Sequence, residues 1–537
     1  MNLYRNEPKE LTRELFVHPT KEYRGAPFWA WNCRIDRQTL EEQIGVFRQM
    51  GMGGFHIHVR TGMETPYLSD EFMAHVRFCL EKGKQQDLLT WLYDEDRWPS
   101  GTAGGRVTAD HPEYRAMNLL LTPRAYGEAG PVADLGILAT GRGGHREENG
   151  ELLACYDVCL DENGCLRSYR RIDPSASTTG CKWYAYAEYA VPSAWFNNQT
   201  YLDTLNREAV QRFVEITHER YLQAVGEDFG GWIPAIFTDE PSFAIQGTLR
   251  FAQSRDDVFL TWTRALPQEY ERQYHESLLD KLPELFWELP ERGVSLARYR
   301  FHELTTELFA SHYADTLGRW CREHGLMLSG HLLHEETLES QTTVIGEAMR
   351  AYRAFSDMPG IDILCDRHEY NTAKQAQSAK HQQGDKAMLS ELYGVSGWDY
   401  DFRGYKLQGD WQAALGVTVR VPHLTWMSMK GEAKRDFPAC IGYQSPWYSR
   451  FSLIEDHFAR VNTAMTRGQP TLRLAVIHPI ESYWLHWGPS EQTAGVRQQL
   501  ERHFAQLTET LLFGCIDFDF IAESPSVRRM WTSVPFQ

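Results

Sequence analysis

The stretch Ile233-Pro-Ala-Ile-Phe-Thr-Asp-Glu-Pro241 is a short apolar segment that ends on two acidic residues and a proline. An apolar run of this length, bounded by a proline, is typical of a buried strand in a parallel sheet. A second stretch, Lys386-Ala-Met-Leu-Ser-Glu-Leu-Tyr-Gly394, has the same form and ends on Glu391. We therefore expect Glu240 and Glu391 each to lie at the carboxyl end of a strand, at the mouth of a loop.

Strands of this kind alternate with amphipathic helices along most of the chain. The first strand covers 26–32, and a helix from Arg37 to Met50 follows it with a stripe of apolar side chains. Further strands are predicted at 53–59, 87–93, 233–241, 326–333, 361–365, 386–394 and 417–426. Eight strand–helix units in a row predict an α/β fold, a (β/α)8 TIM barrel. A doubly wound open sheet is the alternative, but no Gly-x-Gly-x-x-Gly turn follows the first strand.

Two regions depart from this repeat. Residues 116–195 contain short strand-like runs and the Gly-rich stretch 139–145, and they predict a small β insert between units three and four. The catalytic barrel is thus predicted to cover 1–470. Residues 471–537 begin a new strand–helix unit and predict a partial, flavodoxin-like α/β accessory domain. Two strands do not form an independent sheet, so this unit should dock on the barrel or belong to a cut domain.

The composition of the 537 residues narrows the class of ligand. A formal net charge of −17 disfavours nucleic acid and anionic membrane surfaces, which would repel the protein. Carbohydrates are not repelled, and the 17 Trp, 25 Tyr and 26 Phe residues can stack on sugar rings or fill a large core. The sequence does not predict the oligomeric state.

The chain shows no signal segment and no apolar run near the ~20 residues of a membrane span, so we expect a cytoplasmic protein. Three of the ten cysteines, Cys155, Cys159 and Cys165, lie close together, and a zinc site or a disulfide has to be considered. There is no Cys-x-x-Cys pair, and reduced thiols are the better interpretation.

In a (β/α)8 barrel the active site lies at the carboxyl ends of the strands. Strands four and seven lie across the barrel, so we expect Glu240 and Glu391 to flank one glycosidic bond. One carboxyl must be protonated to donate to the leaving oxygen, and burial beside another carboxylate would raise its pKa. The other must be ionised, as a nucleophile or as a base for water, and the carboxyl separation decides which. An ion pair at a strand end is the structural alternative for either glutamate.

Other strand ends and loops supply candidate substrate-binding residues. Asp203 could accept from sugar hydroxyls or cap the following helix, and Trp98 could form a subsite wall or a buried turn. Trp31 and Trp426 could either pack inside the barrel or form a platform on which a sugar ring stacks. The full set of expected substrate-binding residues is Trp31, Asn32, His56, His58, Asp94, Glu95, Trp98, Asp203, Asp239, His331, Glu335, Tyr393 and Trp426.

Four strings resemble those of large bacterial glycoside hydrolases, in particular the family 106 α-L-rhamnosidase-like group. They are Phe28-Trp-Ala-Trp-Asn32, Tyr93-Asp-Glu-Asp-Arg-Trp-Pro-Ser-Gly101, Tyr201-Leu-Asp-Thr-Leu-Asn206 and Phe237-Thr-Asp-Glu-Pro241. The resemblance covers most of residues 26–480. The resemblance implies that Glu240 is the general acid, that Glu391 is its partner and that the chemistry is inverting. It also makes calcium a candidate ion, although a reaction by two carboxyls requires no cofactor. The placement also resembles the retaining barrel glycosidases, which usually have Asn where this chain has Asp239.

Two other functions compete with a glycosidase. His56-x-His58 places two imidazoles on one side of a strand, as in a metal-dependent amidohydrolase, and His331, His334, Glu335 and Glu336 could add ligands. Against this, the pair falls on the second strand, and no lysine ends strand four. We therefore predict no metal site. A sugar-binding pseudoenzyme would keep the same fold and aromatic residues but show no turnover.

Overall fold

The structure is a computed structural model that describes residues 3–4, 10–128, 146–352, 357–385 and 387–523. The Gly-rich stretch 139–145 of the predicted insert, Lys386 and the end of the predicted accessory unit, 524–537, lie outside the described residues. The described part of the chain is mixed α/β, with parallel sheets and one antiparallel sheet.

The strands and helices are numbered in chain order. The strands are β1 (Phe28–Trp31), β2 (Gly54–Val59), β3 (Leu89–Tyr93), β4 (Met117–Thr122), β5 (Glu151–Leu160), β6 (Leu166–Ile172), β7 (Cys181–Tyr189), β8 (Ala235–Thr238), β9 (Val258–Trp262), β10 (Met327–Gly330), β11 (Gly360–Ile363), β12 (Leu389–Leu392), β13 (Val419–Pro422), β14 (Thr425–Trp426), β15 (Ala475–His478) and β16 (Asp519–Ala522). The helices are α1 (Arg13–Val17), α2 (Arg37–Gln49), α3 (Asp70–Gln86), α4 (Arg106–Ala109), α5 (Arg207–Ile216), α6 (His218–Val225), α7 (Leu266–Tyr274), α8 (Leu278–Lys281), α9 (Leu296–Leu308), α10 (Asp315–Glu323), α11 (Leu338–Val344), α12 (Ala348–Tyr352), α13 (Tyr370–Gln383), α14 (Phe402–Ala414), α15 (Ser452–Met465), α16 (Ile480–Trp484) and α17 (Ser490–Phe513).

Two parallel sheets carry the predicted strand repeat. The larger has the order β10-β8-β3-β2-β1-β14, and the smaller has the order β11-β12-β13. Within each sheet, neighbouring strands run parallel, and nearly all their residues are buried. Continuous apolar runs form such strands because both faces are covered.

The edges of the two sheets adjoin each other. The chain passes directly from β13 to β14, so the segment 419–426 contributes to both sheets. At the other edge, Gly360 of β11 lies against Gly330 of β10, where a Cβ on Gly360 would come within 2.0 Å of the Gly330 carbonyl oxygen. The strands of the two sheets therefore have the same order in space as in the chain. Their carboxyl ends lie on the same side of the sheets.

The helices begin where the sequence supplies caps and apolar stripes. Asp36 caps α2 by accepting a hydrogen bond from the backbone N–H of Thr39, and the apolar face of α2 is buried. Residues 207–225 form two helices, α5 and α6, which meet at Thr217. A π-helical segment, Phe309–Ala314, lies between α9 and α10.

The insert is an antiparallel sheet with the strand order β6-β5-β7-β4-β9. Its last strand, β9, lies beyond the predicted boundary at residue 195 and follows β8 in the chain. Val258-Phe-Leu-Thr-Trp262 joins the sheet by pairing with β4, and this long-range pairing has no signal in local sequence.

The C-terminal unit consists of the parallel pair β15 and β16 with α16 and α17. It packs on α13, where the backbone N–H of Phe520 donates to Ser378 Oγ and Gln382 donates to the Phe520 carbonyl. Trp484, Trp487 and Phe520 form part of its apolar core. Within the described ranges, every helix is too short or too polar for a membrane span.

Candidate active site

Two adjoining cavities lie at the carboxyl ends of the parallel strands. The smaller cavity has a volume of about 90 Å³ and is lined by Arg60, Trp98, Asp239, Glu240, Asp362, Leu364, Glu391, Gly394, Val395, His423 and Phe437. The larger has a volume of about 920 Å³, and its walls include Asn32, Pro99, Trp195, Phe196, Leu333, His334, Trp426 and Lys430. Trp98, Glu240 and Phe437 line both cavities, so Glu240 lies at their junction.

His331 links two carboxylates in the smaller cavity. Its Nε2 lies 2.8 Å from Glu391 Oε2 and 3.4 Å from Asp239 Oδ1, and its Nδ1 lies 3.1 Å from the Leu332 carbonyl oxygen. Burial alone would lower the pKa of His331, but the hydrogen bond to Glu391 and the two carboxylate charges raise it well above the usual value. Both ring nitrogens therefore act as donors, and the side chain is an imidazolium.

Asp239 follows β8 and is held by neighbouring strands. Tyr93 donates a hydrogen bond of 2.6 Å to Asp239 Oδ2. The backbone N–H of Asp239 donates to Ser100 Oγ, which in turn donates to Oδ1 of buried Asp94 at 2.6 Å. Asp94 is thus a supporting group behind Asp239. The next residue, Glu240, has φ of 48°, a left-handed conformation that is costly for a residue with a side chain.

Glu391 and Asp362 lie side by side on β12 and β11, because the parallel register pairs these two positions. Burial raises the pKa of Glu391 to about 7, while the hydrogen bond from His331 opposes this rise. Burial also raises the pKa of Asp362 well above its usual value, and the charge of Glu391 adds to the rise. Asp362 is not among the residues predicted from sequence, although an aspartate inside the apolar run Ile361-Asp-Ile-Leu364 is a signal for a site residue.

Aromatic rings and one arginine form the wall between the cavities. The guanidinium of Arg60 lies 4.1 Å from the ring centroid of Trp98 and 5.8 Å from that of Trp426. Arg60 also forms an ion pair with Asp436 at 3.0 Å. Nε2 of His423 lies 4.0 Å from Glu391 Oε1, and burial holds the pKa of His423 well below its usual value.

Glu95 supports the loop that carries Trp98. Its carboxylate is buried and accepts hydrogen bonds from the backbone N–H groups of Asp96, Gly101, Thr102, Ala103 and Gly104. Each of these five hydrogen bonds is within the loop, and Glu95 lines neither cavity. The sequence predicts that Glu95 binds substrate, whereas its position makes it a support for the wall.

Trp31 is a second expected binding residue that lies outside the cavities. Its ring is fully buried and packs against Phe72 and Trp29. Side chains alternate along a strand, so Trp29 and Trp31 share the face of β1 that meets the helices. Asn32, one residue later, does line the larger cavity, with its side-chain amide bonded to the backbone of Ser428.

His56 and His58 lie inside the strand layer and line neither cavity. His56 Nδ1 bonds to the Ala26 carbonyl at 2.8 Å and its ring stacks on Trp91. The His58 ring lies 4.1 Å from that of Tyr93. Burial lowers the pKa of both histidines, so they are neutral packing residues in this structure.

The remaining three residues predicted to bind substrate are Asp203, Glu335 and Tyr393, which form hydrogen bonds with neighbouring protein groups. Asp203 accepts from Thr263 Oγ1 at 2.6 Å and lines neither cavity, and Asn206 is the residue that caps α5. Glu335 accepts from the backbone N–H of Leu332 and from Tyr352, and so braces the segment that carries His331. The hydroxyl of Tyr393, two residues after Glu391, donates to the Tyr405 carbonyl.

In the part of the chain that the structure describes, one group of side chains is close enough to hold a metal ion. Asp239, His331 and Glu391 each offer an atom within 4.8 Å of the others. Calcium takes oxygen ligands, whereas one of the three ligand atoms here is Nε2 of His331, which already bonds to Glu391. The residues present therefore do not fit calcium. His56 and His58 are not part of this group, so the amidohydrolase ligand set is not assembled.

No family model and no curated protein matches the chain. Among solved structures, the rhamnosidase from Novosphingobium sp. PP1Y is similar over 87% of this chain, with a TM-score of 0.57 and 12% identity. The match covers 62% of that rhamnosidase, so this chain spans less than two thirds of its length. At this identity the likeness shows a shared fold.

Two further solved structures are matched at lower similarity. The endo-β-1,4-mannanase from Thermotoga petrophila has a TM-score of 0.36 and 8% identity, over 85% of this chain and 80% of the other. The Flavobacterium johnsoniae chitobiase has a TM-score of 0.29 and 11% identity, over 82% of this chain and 52% of the other. Like the rhamnosidase, both are glycoside hydrolases.

Proposed function

We propose that this protein is a glycoside hydrolase that uses Glu240 and Glu391. The observation that carries the proposal is that both carboxyls line one cavity, at the strand ends of a fold shared with a rhamnosidase. Two carboxyls on one pocket are the usual equipment for glycosidic bond cleavage. The fold likeness and the sequence resemblance to family 106 together favour an α-L-rhamnoside as substrate.

We further propose that the two parallel sheets are arcs of one (β/α)8 barrel. The contact between Gly330 and Gly360 and the continuous segment 419–426 support closure at both edges. In such a barrel the catalytic groups lie at the carboxyl ends of the strands, which is where the two cavities are.

We assign Glu240 as general acid and Glu391 as its ionised partner. Glu240 lines both cavities, as expected for a group that protonates the oxygen between the sugar and the leaving group. Glu391 lines only the smaller cavity and is bonded to the His331 imidazolium, which favours the ionised form. The smaller cavity would hold the sugar to be released. The aromatic walls of the larger would contact the leaving group.

The proposal includes no metal, no nucleic acid and no membrane. The reaction by two carboxyls needs no cofactor, and the donor set around His331 does not fit calcium. We also propose a cytoplasmic location, which is supported by the ten cysteines, all of them free thiols.

A screen of aryl glycosides with the purified chain tests this function, beginning with the α-L-rhamnoside and the galactosides. Glu240→Gln and Glu391→Gln should each lower the rate of aryl release by about 10²–10⁴-fold. Glu432→Gln is the matched control, because Glu432 also lines the larger cavity but is not assigned to the chemistry. Unchanged rates in both variants would remove the glycosidase proposal. Binding of sugar without turnover by the wild type would favour a pseudoenzyme.

A further inference from the structure

The smaller cavity contains more carboxyl groups than a two-carboxyl reaction uses. Asp239, Glu240, Asp362 and Glu391 all line it or its edge. We propose that Asp362 is a neutral carboxylic acid that donates a hydrogen bond to a hydroxyl of the bound sugar. The proposal rests on the proposed function, because it takes the smaller cavity as the sugar pocket.

The position of Asp362 leaves it without the contacts that hold the other carboxyls. Asp239 accepts from Tyr93, and Glu391 accepts from His331. Among the described residues, Oδ1 of Asp362 is buried and has no hydrogen-bond partner. Because β11 and β12 are parallel and in register at this point, Asp362 is fixed next to Glu391 and cannot avoid its charge. Asp362 is itself only partly buried and lines the smaller cavity, so a ligand in that cavity can reach its carboxyl.

The charges around Asp362 favour its protonated form. The imidazolium of His331 lies between Glu391 and Asp239, so its charge is already shared by two carboxylates. Arg60 is paired with Asp436, and burial keeps the neighbouring His423 neutral by lowering its pKa. Glu240 adds a further acidic group at the edge of the cavity. Like charges at close range in a desolvated pocket do not all ionise, and Asp362 Oδ1 lacks a donor of the kind that Asp239 and Glu391 have.

The pKa of Asp362 agrees with this geometry. Burial raises it well above its usual value and the charges of Glu391, Glu240 and Asp239 raise it further, whereas His331 lowers it. A neutral carboxylic acid has one O–H donor, which an ionised carboxylate lacks. Sugar hydroxyls accept as well as donate, so an O–H on this wall would recognise a hydroxyl of the bound sugar directly.

The first test measures the protonation state without any substrate. If Asp362 keeps its proton in the folded protein, the free energy of unfolding of the wild type should fall relative to that of Asp362→Asn as pH rises. The reason is that the Asp362 carboxyl ionises near pH ~4 in the unfolded chain but stays protonated in the folded one. Denaturant unfolding from pH 5 to 8 should therefore show the ratio of the two unfolding constants changing by about tenfold per pH unit. Asp399→Asn, at an exposed site, should show a constant ratio to wild type. A constant ratio for Asp362→Asn would overturn the neutral state.

The second test uses 4-nitrophenyl α-L-rhamnoside for turnover and L-rhamnose for calorimetric binding. Asp362→Asn keeps an N–H donor and should retain kcat/KM within about threefold, whereas Asp362→Leu should lose about ten- to hundredfold, mainly through KM. Equal losses in both variants would overturn the donor role, as would unchanged kinetics in both.

The outcomes of these tests distinguish a failure of the proposed function from a failure of this inference. If the wild type binds L-rhamnose but shows no turnover, the glycosidase proposal fails while the binding constants of the two variants still test Asp362. If the wild type binds neither sugar, the donor role toward this sugar is overturned, whatever the unfolding data show.

Discussion

His331 donates from Nε2 to Oε2 of Glu391 across 2.8 Å, and this contact joins the segment after β10 to β12. The same nitrogen lies 3.4 Å from Asp239. One imidazolium therefore compensates two carboxylates that come from different strands. Because burial alone would raise the pKa of Glu391, the presence of His331 decides how much of Glu391 is ionised near neutral pH.

Replacing His331 should shift the pH dependence of activity. In His331→Gln the imidazolium is lost, so the pKa of Glu391 should rise and less of it should be ionised at pH 7. We expect kcat/KM at pH 7 to fall at least about tenfold, with the acidic limb displaced to higher pH. His457→Gln, which alters an ion pair with Asp410, is the control. A variant with lower activity but an unmoved pH profile would show that His331 acts only on structure.

The direction of the pH profile tests the assignment of the two glutamates. With the pKa of Glu391 raised to about 7 and its ionised form active, kcat/KM should rise as pH increases through about 7. If Glu391 were instead the general acid, activity would fall over the same interval. Measurement of kcat/KM on an aryl glycoside between pH 4 and 9 separates the two assignments.

Glu95→Ala should destabilise the loop 95–104 and, through Trp98, the cavity wall. The substitution leaves five backbone N–H groups without their acceptor, so we expect a loss of at least about 3 kcal/mol in the free energy of unfolding. Urea denaturation measures this loss. Glu113→Gln, at an exposed site, serves as the control and should unfold like the wild type. Wild-type stability in Glu95→Ala would mean that water replaces the carboxylate without cost.

Trp98→Leu should weaken binding of an aryl leaving group. Trp98 lines both cavities and lies under the Arg60 guanidinium, so its loss removes aromatic contact area at the junction. We expect kcat/KM to fall by about tenfold. Trp232→Leu is a matched control, since Trp232 precedes β8 and lies at the amino ends of the strands. An equal fall in both variants would assign the effect to stability.

Chelation should leave activity unchanged. The imidazolium of His331 lies between the carboxylates that a cation would need, so dialysis against EDTA should change kcat/KM by less than about twofold. A larger loss that added calcium restores would contradict this and would require His331 to leave its place between Asp239 and Glu391.

Part of the site is readable from local sequence. Glu240 and Glu391 each end an apolar run, and both are found after or at the end of a parallel strand. Asp362 could have been nominated by the same reasoning, because a carboxyl inside an apolar strand is costly unless it faces a cavity. Trp31 is buried outside both cavities because adjacent strand positions point to opposite sides, and only the position of the helices shows which side is the core.

The amino-acid sequence by itself determined the strand–helix alternation, most strand positions and the two glutamates at strand ends, because these depend on apolar periodicity and on residues close together in the chain. Tertiary structure alone decided which side chains meet. His331, Glu391 and Asp239 come from segments 60 to 152 residues apart. Their distances, and the pKa shifts that follow from burial beside other charges, exist only once strands from different parts of the chain lie in register.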